Sequence, residues 1–419
     1  MTVAAVATVA KSMRAFGAAA LMLLAVVALS AQQSAPAPPP TKPPPAPAGA
    51  PKDAREVVTP AQLAAAIEKL GTLDFTERMA AARTTRRAEP TLAVPTLLKA
   101  VETHPDAYVR FRALVLLSGF NDPRTRDIMR GALGLQNDRL RTVAYTYFEH
   151  NADPSVIPKL LAAVPVESSE FVRPALTRSL AAYGSDPKVR ETMAGLVMKG
   201  QAFFRSAVIE ALGDYRATYA VGPITEVAKI DGPMQTDAAI ALGKIGEKSS
   251  LATLAEIQRT APRESQPAIA AAICLLGVNC ESHEPYLANT LRFAIATIGY
   301  QELLRGSAAG LASLAVSGRE AAAAELIRQG APTRDPARAA IVLAIGTIAL
   351  RNTPLMLKVL QGEGMLEPGS ELLREAFDML EEDFEEERFF VTVRKSYWQA
   401  PAGSPSRTVC ETLIRQLEF

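Results

Sequence analysis

Arginine recurs in this chain at a nearly constant spacing of 31 or 32 residues, each time after a bulky apolar residue. A guanidinium is a planar fork that binds carboxylates and phosphates through two parallel hydrogen bonds. A row of such groups on one surface could therefore bind an anionic partner. The alternative is a structural role within the fold. The arginine row consists of Arg110, Arg141, Arg173 and Arg205.

The three cysteines offer a second kind of chemistry, either disulfide formation or metal binding. Cys274 and Cys280 are separated by the short stretch Leu-Leu-Gly-Val-Asn, and in an oxidising compartment they could pair. The alternative is a buried Cys274, packed as a small apolar residue, and a free Cys280. With His283 they offer at most three metal ligands, whereas a structural zinc site needs four at recurring spacing. The sequence therefore predicts no metal site, and it leaves both alternatives for the cysteine pair open.

Motifs for catalysis or cofactor binding do not occur in the sequence. The stretch after Gly243 lacks the spacing of a phosphate-binding loop, and Ser313 lacks the second glycine of a hydrolase nucleophile turn. The acidic run Glu381–Glu387 is typical of a solvated helix face. The single tryptophan, Trp398, could belong to a binding surface or anchor the last helix, and the sequence favours the anchor. We therefore expect a protein that is not an enzyme and has no cofactor.

The residues around the arginine row predict the helices that position it. Apolar residues follow Arg110 at offsets of three, four and seven, which is one face of a helix. Asp-Pro pairs recur with the arginines and are typical helix starts, because Asp accepts from free amides and Pro tolerates a position without a donor. Such a period indicates stacked copies of one two-helix unit. Helix pairs are expected near 92–118, 122–150, 154–183, 187–214, 217–245 and 249–277.

The segment Asp106-Ala-Tyr-Val109-Arg110-Phe-Arg-Ala113-Leu114 resembles the HEAT repeat family, and most of all the short HEAT-like repeats of phycobilisome lyases. The resemblance extends over about 90–350. It implies an all-α, right-handed α-solenoid, HEAT- or armadillo-like, in which antiparallel helix pairs stack and the second helices line the concave side. It also implies that the arginine of each repeat is structural. The lack of an arginine counterpart at Gln235 agrees with that role.

Composition divides the chain into five parts. Residues 1–31 are typical of a signal peptide or an uncleaved signal anchor, with Lys11 and Arg14 before the apolar stretch Ala15–Leu29. Residues 32–58 form a Pro-rich linker that favours an extended polyproline conformation. Residues 59–89 are expected to be an N-terminal helical cap, 90–361 the repeat array, and 362–419 the C-terminal capping helices.

The formal net charge of +1 gives no reason to expect nucleic acid as a partner. The sequence favours a monomeric, non-enzymatic scaffold of the cell envelope, periplasmic or extracellular, that binds a protein partner on its concave face. An uncleaved signal would anchor it in the inner membrane. Two alternatives stay open. One is a chaperone-like lyase or enzyme-associated protein, which the resemblance alone suggests. The other is a binder of an anionic envelope polymer through the arginine row.

Overall fold

The computed structural model describes residues 57–379 and 383–419, and the secondary structure assigned within them is entirely helical. The predicted signal segment (1–31) and nearly all of the predicted linker (32–58) lie outside the described residues. Among the described residues, no single helix is both long and apolar enough to span a membrane. The α-helices are α1 (Pro60–Lys69), α2 (Phe75–Arg87), α3 (Pro90–Thr103), α4 (Ala107–Ser118), α5 (Arg124–Ala132), α6 (Asp138–His150), α7 (Ile157–Ala163), α8 (Arg173–Ala182), α9 (Pro187–Leu196), α10 (Ala202–Asp214), α11 (Val221–Ala228), α12 (Pro233–Ile245), α13 (Ser250–Thr260), α14 (Gln266–Leu275), α15 (Cys280–Ala296), α16 (Gln301–Val316), α17 (Glu320–Gly330), α18 (Arg338–Arg351), α19 (Thr353–Val359), α20 (Leu366–Met379), α21 (Phe384–Gln399) and α22 (Pro405–Gln416).

The helices pack as an α-solenoid of helix pairs. Each second helix packs against the second helix of the next pair in chain order, which gives a continuous inner layer. The members of that layer are α4, α6, α8, α10, α12, α14, α16, α18 and α20. The first helices pack against their own second helices, so each pair buries its apolar face only with help from its neighbours. The expected all-helical solenoid is confirmed, and the six expected helix pairs coincide with the pairs from α3–α4 to α13–α14.

Short polar side chains begin many of these helices. Oδ1 of Asp122, Asp153 and Asp186 accepts the backbone N–H two residues further on, at 2.9, 3.1 and 2.8 Å. Asp106 and Asn137 cap the second helices α4 and α6 in the same way. These bonds satisfy amides that have no partner within the helix. Local sequence signals that recur with the repeat therefore determine where many of the helices begin.

Two glycines let neighbouring inner helices approach closely. A Cβ atom added to Gly213 would lie 2.8 Å from Cα of Ala241, and one added to Gly243 would lie 2.6 Å from Cα of Ala272. No real Cβ tolerates such distances, so α10, α12 and α14 pack backbone to backbone at these points. The triplet Ala211-Leu212-Gly213 recurs as Ala241-Leu242-Gly243, and in both places its glycine marks a close contact between inner helices.

The C-terminal region contains two helices, α20 and α21, which lie on either side of residues 380–382, and those three residues are not described. The side chain of Asp383 begins α21 by accepting the N–H groups of Glu385 and Glu386 at 2.9 and 3.1 Å. From there α21 packs against α4, α6 and α18, so the end of the chain returns to the first repeats.

Part of the acidic run at the start of α21 is buried. The prediction of a solvated face is therefore wrong for Glu386 and Glu387, whereas Asp383 is exposed. Glu386 is 5% exposed and Glu387 is 1% exposed. Because α21 folds back onto α4 and α6, Glu385 and Glu387 in its first turn contact basic side chains from other helices instead of water. The last helix, α22, begins at Pro405 after the cap residue Ser404.

Candidate functional site

The arginine row lies in the first turn of successive inner helices, where each guanidinium donates to a backbone carbonyl at the end of the preceding first helix or in the loop after it. Nε donates to the carbonyl of Val101 from Arg110 (2.9 Å) and to that of Val197 from Arg205 (2.8 Å). Arg173 donates to a carbonyl of the loop before its helix, at Glu167 (2.9 Å). The last carbonyls of a helix have no partner within it, so these bonds join the two helices of one repeat.

The row continues beyond Arg205, although not always as arginine. The side-chain amide of Gln235 donates to the carbonyl of Ala228 at 3.2 Å, and that of Gln266 donates to Gln258 and Ala261 at 2.9 Å each. Arg338 occupies the equivalent position at the start of α18 and donates to the carbonyls of Gly330 and Thr333. Gln235 is therefore a member of the row that supplies an N–H donor without a charge. The spacing, rather than the residue type, was the signal that could have found it.

Pairing between repeats occurs at Arg141. It makes a bidentate ion pair with Glu167 of the following repeat, with Nε–Oε2 at 2.8 Å and Nη2–Oε1 at 2.9 Å. The Glu167 side chain is 6% exposed, and its hydrogen bond is the main cause that raises the pKa of Arg141. For Arg110, Arg173 and Arg205, the structure gives no acidic partner among the described residues. All four arginines donate hydrogen bonds to backbone carbonyls or to Glu167 of the protein itself, and this geometry favours the structural role.

Large apolar side chains are exposed beside the arginine row in three consecutive repeats. Val166 and Phe171 lie seven and two residues before Arg173 and are 76% and 87% exposed. Met198 and Phe203 stand at the same two offsets before Arg205 and are 51% and 62% exposed. The loop of the next repeat carries one further exposed apolar residue. We call the five residues the apolar row: Val166, Phe171, Met198, Phe203 and Ile230.

The apolar row follows one edge of the solenoid. Its residues lie in the loops between first and second helices or at the start of the second helix, and α8, α10 and α12 pack side by side. Neighbouring helix axes are about 8–10 Å apart, so equivalent residues of adjacent repeats are within reach of one extended partner. The arginine row stiffens this edge: the Arg173 guanidinium lies 4.7 Å from the ring centroid of Phe204. The apolar row was not predicted from the sequence, although the offsets shared before Arg173 and Arg205 were a signal that could have found it.

A second cluster lies where the C-terminal ends of several inner helices meet. Its centre is Glu149, at the end of α6, whose side chain is 1% exposed. Oε1 of Glu149 accepts from the hydroxyl of Tyr215 at 2.8 Å and from Nη2 of Arg178 at 3.0 Å. Nη1 of Arg351, from the distant helix α18, lies 3.7 Å from the same oxygen. A buried carboxylate surrounded in this way holds α6, α8 and α18 together.

The first turn of α21 completes this cluster. Oε1 of Glu385 lies 2.7 Å from Nε2 of His150, and Oε2 accepts from Nη1 of Arg388 at 2.6 Å. Burial alone would raise the pKa of Glu385, but the hydrogen bond with His150 and the charges of His150, Arg351 and Arg388 lower it to about 2. The polar hub, as we call this cluster, consists of Glu149, His150, Arg178, Tyr215, Arg351, Glu385 and Arg388.

Within the polar hub, Glu149, His150 and Glu385 hold ligand atoms that all lie within 4.8 Å of one another, a spacing that a metal ion could use. The same carboxylate oxygens accept from or lie beside guanidinium groups, so a cation would have to compete with Arg178, Arg351 and Arg388. The sequence did not suggest these residues as a group, because they come from elements more than 230 residues apart. We interpret the polar hub as a structural network that fixes α21 against the inner helices.

The cysteine pair is close enough for a covalent bond. The structure assigns a disulfide between Cys274 and Cys280, which is the paired alternative, while Cys410 is a buried free thiol. Trp398, at the end of α21, is 58% exposed, so its indole does not anchor the last helix by burial.

Comparison with known proteins shows structural likeness only. No family model matches the chain, and no curated protein matches it. Three HEAT-like helical repeat structures are similar. YibA of Escherichia coli has 16% identity and a TM-score of 0.38, with 52% of this chain and 81% of that one covered. The complex of CpcE and CpcF of phycocyanin lyase from Nostoc sp. has 16% identity and a TM-score of 0.34, with 63% and 98% covered. Human deoxyhypusine hydroxylase in complex with glycerol has 19% identity and a TM-score of 0.28, with 61% and 95% covered.

Proposed function

We propose that this protein is an exported, non-enzymatic α-solenoid that binds a protein partner through the apolar row. The observation that carries the proposal is the exposure of five large apolar side chains along one edge, four of which recur at the same two offsets in consecutive repeats. Exposed apolar groups that cluster on a soluble protein commonly mark a protein interface, whereas single ones need no explanation. The repeat spacing distinguishes this row from scattered exposure.

We place the binding surface at the edge that carries the apolar row, and not on the concave face that the sequence favoured. Helix α21 packs against α4 and α6, and the polar hub joins α6, α8 and α18 to α21. Those contacts occupy part of the inner layer that a partner would otherwise use. Phe171, in the loop before α8, and Phe203, in the first turn of α10, stay accessible, at 87% and 62% exposure.

We also propose the cell envelope as its location. The signal-like segment 1–31 supports export. The close approach of Cys274 and Cys280 supports an oxidising compartment, where disulfides persist. N-terminal sequencing of the protein from its host tests the location, with a start near residue 32 expected. A start at Met1, with Lys11 and Arg14 retained in a membrane fraction, would support the signal anchor instead.

The interface is tested first by site-specific photocrosslinking in the native host. A photoreactive phenylalanine analogue at Phe203 should give a discrete crosslinked protein, because the side chain points into the proposed contact. The matched control is the same analogue at Ile298, which is 99% exposed but lies outside the apolar row. Equal crosslinking from both positions would contradict a specific interface.

The captured partner is then purified and its affinity is measured against variants. The double variant Phe171→Ser, Phe203→Ser should bind at least tenfold more weakly, since buried aromatic anchors carry much of the energy at interfaces. Its melting temperature should match that of the wild type because both rings are exposed. Ile298→Ser is the control and should bind normally. Capture of a second copy of this chain, or of an anionic polymer that Arg205→Gln releases, would overturn the proposed partner class.

A further inference from the structure

A cleft of about 350 Å³ lies between α21, the junction of α2 with α3, and the end of α4. It is separate from the apolar row, which belongs to later repeats. Part of its lining is apolar and comes from Ala88, Pro90, Phe120, Val391 and Trp398. The rest is charged and includes Arg86, Glu387, Arg394 and Lys395. Small-molecule sites commonly combine such apolar walls with a few convergent charges, and this volume is at the lower end of their range.

One buried carboxylate in this cleft is shared by two arginines. Oε2 of Glu387 accepts from Nε of Arg86 at 2.8 Å, and its Oε1 accepts from Nη2 of Arg394 at 3.1 Å. The side chains of the three residues are 1%, 4% and 26% exposed, in that order. Burial lowers the pKa of Arg394; Glu387 opposes that shift, and the charge of Arg86 adds to it. The site therefore holds more buried positive than negative charge.

Arg86 has a donor that the fold leaves unused. Its Nη1 atom is buried and has no hydrogen-bond partner among the described residues. A buried donor without an acceptor is unfavourable, and a charged one is more so. Lys395 and Glu89 also line the cleft, and both are exposed. The three cations and two carboxylates of the lining leave one positive charge, which a single anionic group would balance.

We propose that this cleft binds a small monocarboxylate with a flat apolar body. The carboxylate would accept from Nη1 of Arg86 and pair with Lys395, because a guanidinium matches the planar geometry of a carboxylate. The apolar body would lie against the exposed indole of Trp398 and the side chain of Phe120. A single residual charge favours a carboxylate over phosphate, which carries up to two charges at neutral pH.

The test uses the mature protein and the intrinsic fluorescence of Trp398, which is the single tryptophan of the chain. Titration with phenylacetate up to about 10 mM should change the emission in a saturable way, which corresponds to weak but specific binding. Phenylacetamide has the same shape without the charge, and it should bind at least tenfold more weakly. Equal binding of the amide, tighter binding of inorganic phosphate, or no saturable change would each overturn the proposal.

Variants locate the binding. Arg86→Lys keeps a cation near Glu387 but removes the unused donor, and Lys395→Gln removes the exposed charge without touching the buried pair. Each should weaken phenylacetate binding about tenfold, roughly the effect of losing one charge-assisted hydrogen bond. Arg83→Lys is the matched control, since Arg83 lies on the same helix and pairs with Glu418 outside the cleft. If Arg86→Lys fails to fold, the test depends on Lys395→Gln. Wild-type affinity for phenylacetate in that variant contradicts the proposed site.

Discussion

Nε of Arg86 donates a hydrogen bond to Oε2 of Glu387 at 2.8 Å, across 301 residues of sequence. The two side chains are 4% and 1% exposed, so this is a buried ion pair between the second helix and the helix that returns from the C-terminal end. Gly119 makes room for it, because a Cβ atom there would lie 2.5 Å from Oε1 of Glu387. The pair fixes α21 in the position on which the cleft and the polar hub both depend.

Replacing Glu387 by Gln should destabilise the fold strongly. The substitution leaves Arg86 and Arg394 buried without their carboxylate, and removing one partner of a buried pair costs about 3–5 kcal/mol. Chemical denaturation should show a large decrease in the free energy of unfolding. Glu320→Gln is the control, because the pair of Glu320 with Lys358 is exposed and should be worth less than about 1 kcal/mol. Similar decreases in the free energy of unfolding of the two variants would contradict the role of the buried pair in fixing α21.

Arg141→Ala should destabilise the solenoid more than Arg173→Ala. Arg141 neutralises the buried carboxylate of Glu167, so its loss should cost about 3 kcal/mol or more. Arg173 caps a backbone carbonyl instead, and losing that bond should cost about 1 kcal/mol. Thermal melting of the two variants beside the wild type checks the order. The reverse order would contradict the assignment of Arg141 as the pairing member of the row.

Gly243→Ala should destabilise the contact between α12 and α14. The new methyl group would lie 2.6 Å from the backbone of Ala272, and overpacking of this kind costs about 1–3 kcal/mol. Gly222→Ala is the matched control, since nothing lies within 4 Å of the added Cβ atom and alanine is the better helix former. Urea unfolding should therefore separate the two variants. A tolerated Gly243→Ala would mean that the inner helices can move apart freely.

Glu385 should make stability depend on pH in the acid range. Its pKa in the folded state is about 2, below the ordinary value of 4.5, so the unfolded chain takes up this proton first as the pH falls. The contribution of about 3 kcal/mol is therefore fully present above pH 4.5 and is lost between about pH 4.5 and 2. Glu385→Gln should be less stable at pH 7 and should show a flatter profile in that window. Parallel profiles for variant and wild type, measured by urea unfolding, would contradict the assignment.

The sequence by itself determined the helical repeats and the capping of many helices. Asp122-Pro123 and its equivalents act through bonds to amides two residues away, and the apolar spacing after Arg110 acts within one helix. Such signals are local, so they survive in a single sequence. The spacing of the arginine row likewise marked the position that donates to a carbonyl at the end of the preceding first helix or in the loop after it. Its continuation as Gln235 became clear only from the tertiary structure, because an amide and a guanidinium share only their N–H donors.

The tertiary structure decided where the acidic run and the exposed apolar residues lie. Glu385 and Glu387 have the composition of a solvated face, and only the return of α21 onto α4 and α6 brings them to His150 and Arg86. Likewise Phe171 and Phe203 belong by type to a core, but no other part of the described chain covers them, so both are exposed. A side chain's burial depends on what packs against it from distant parts of the chain, and that contact leaves no trace in the residues beside it.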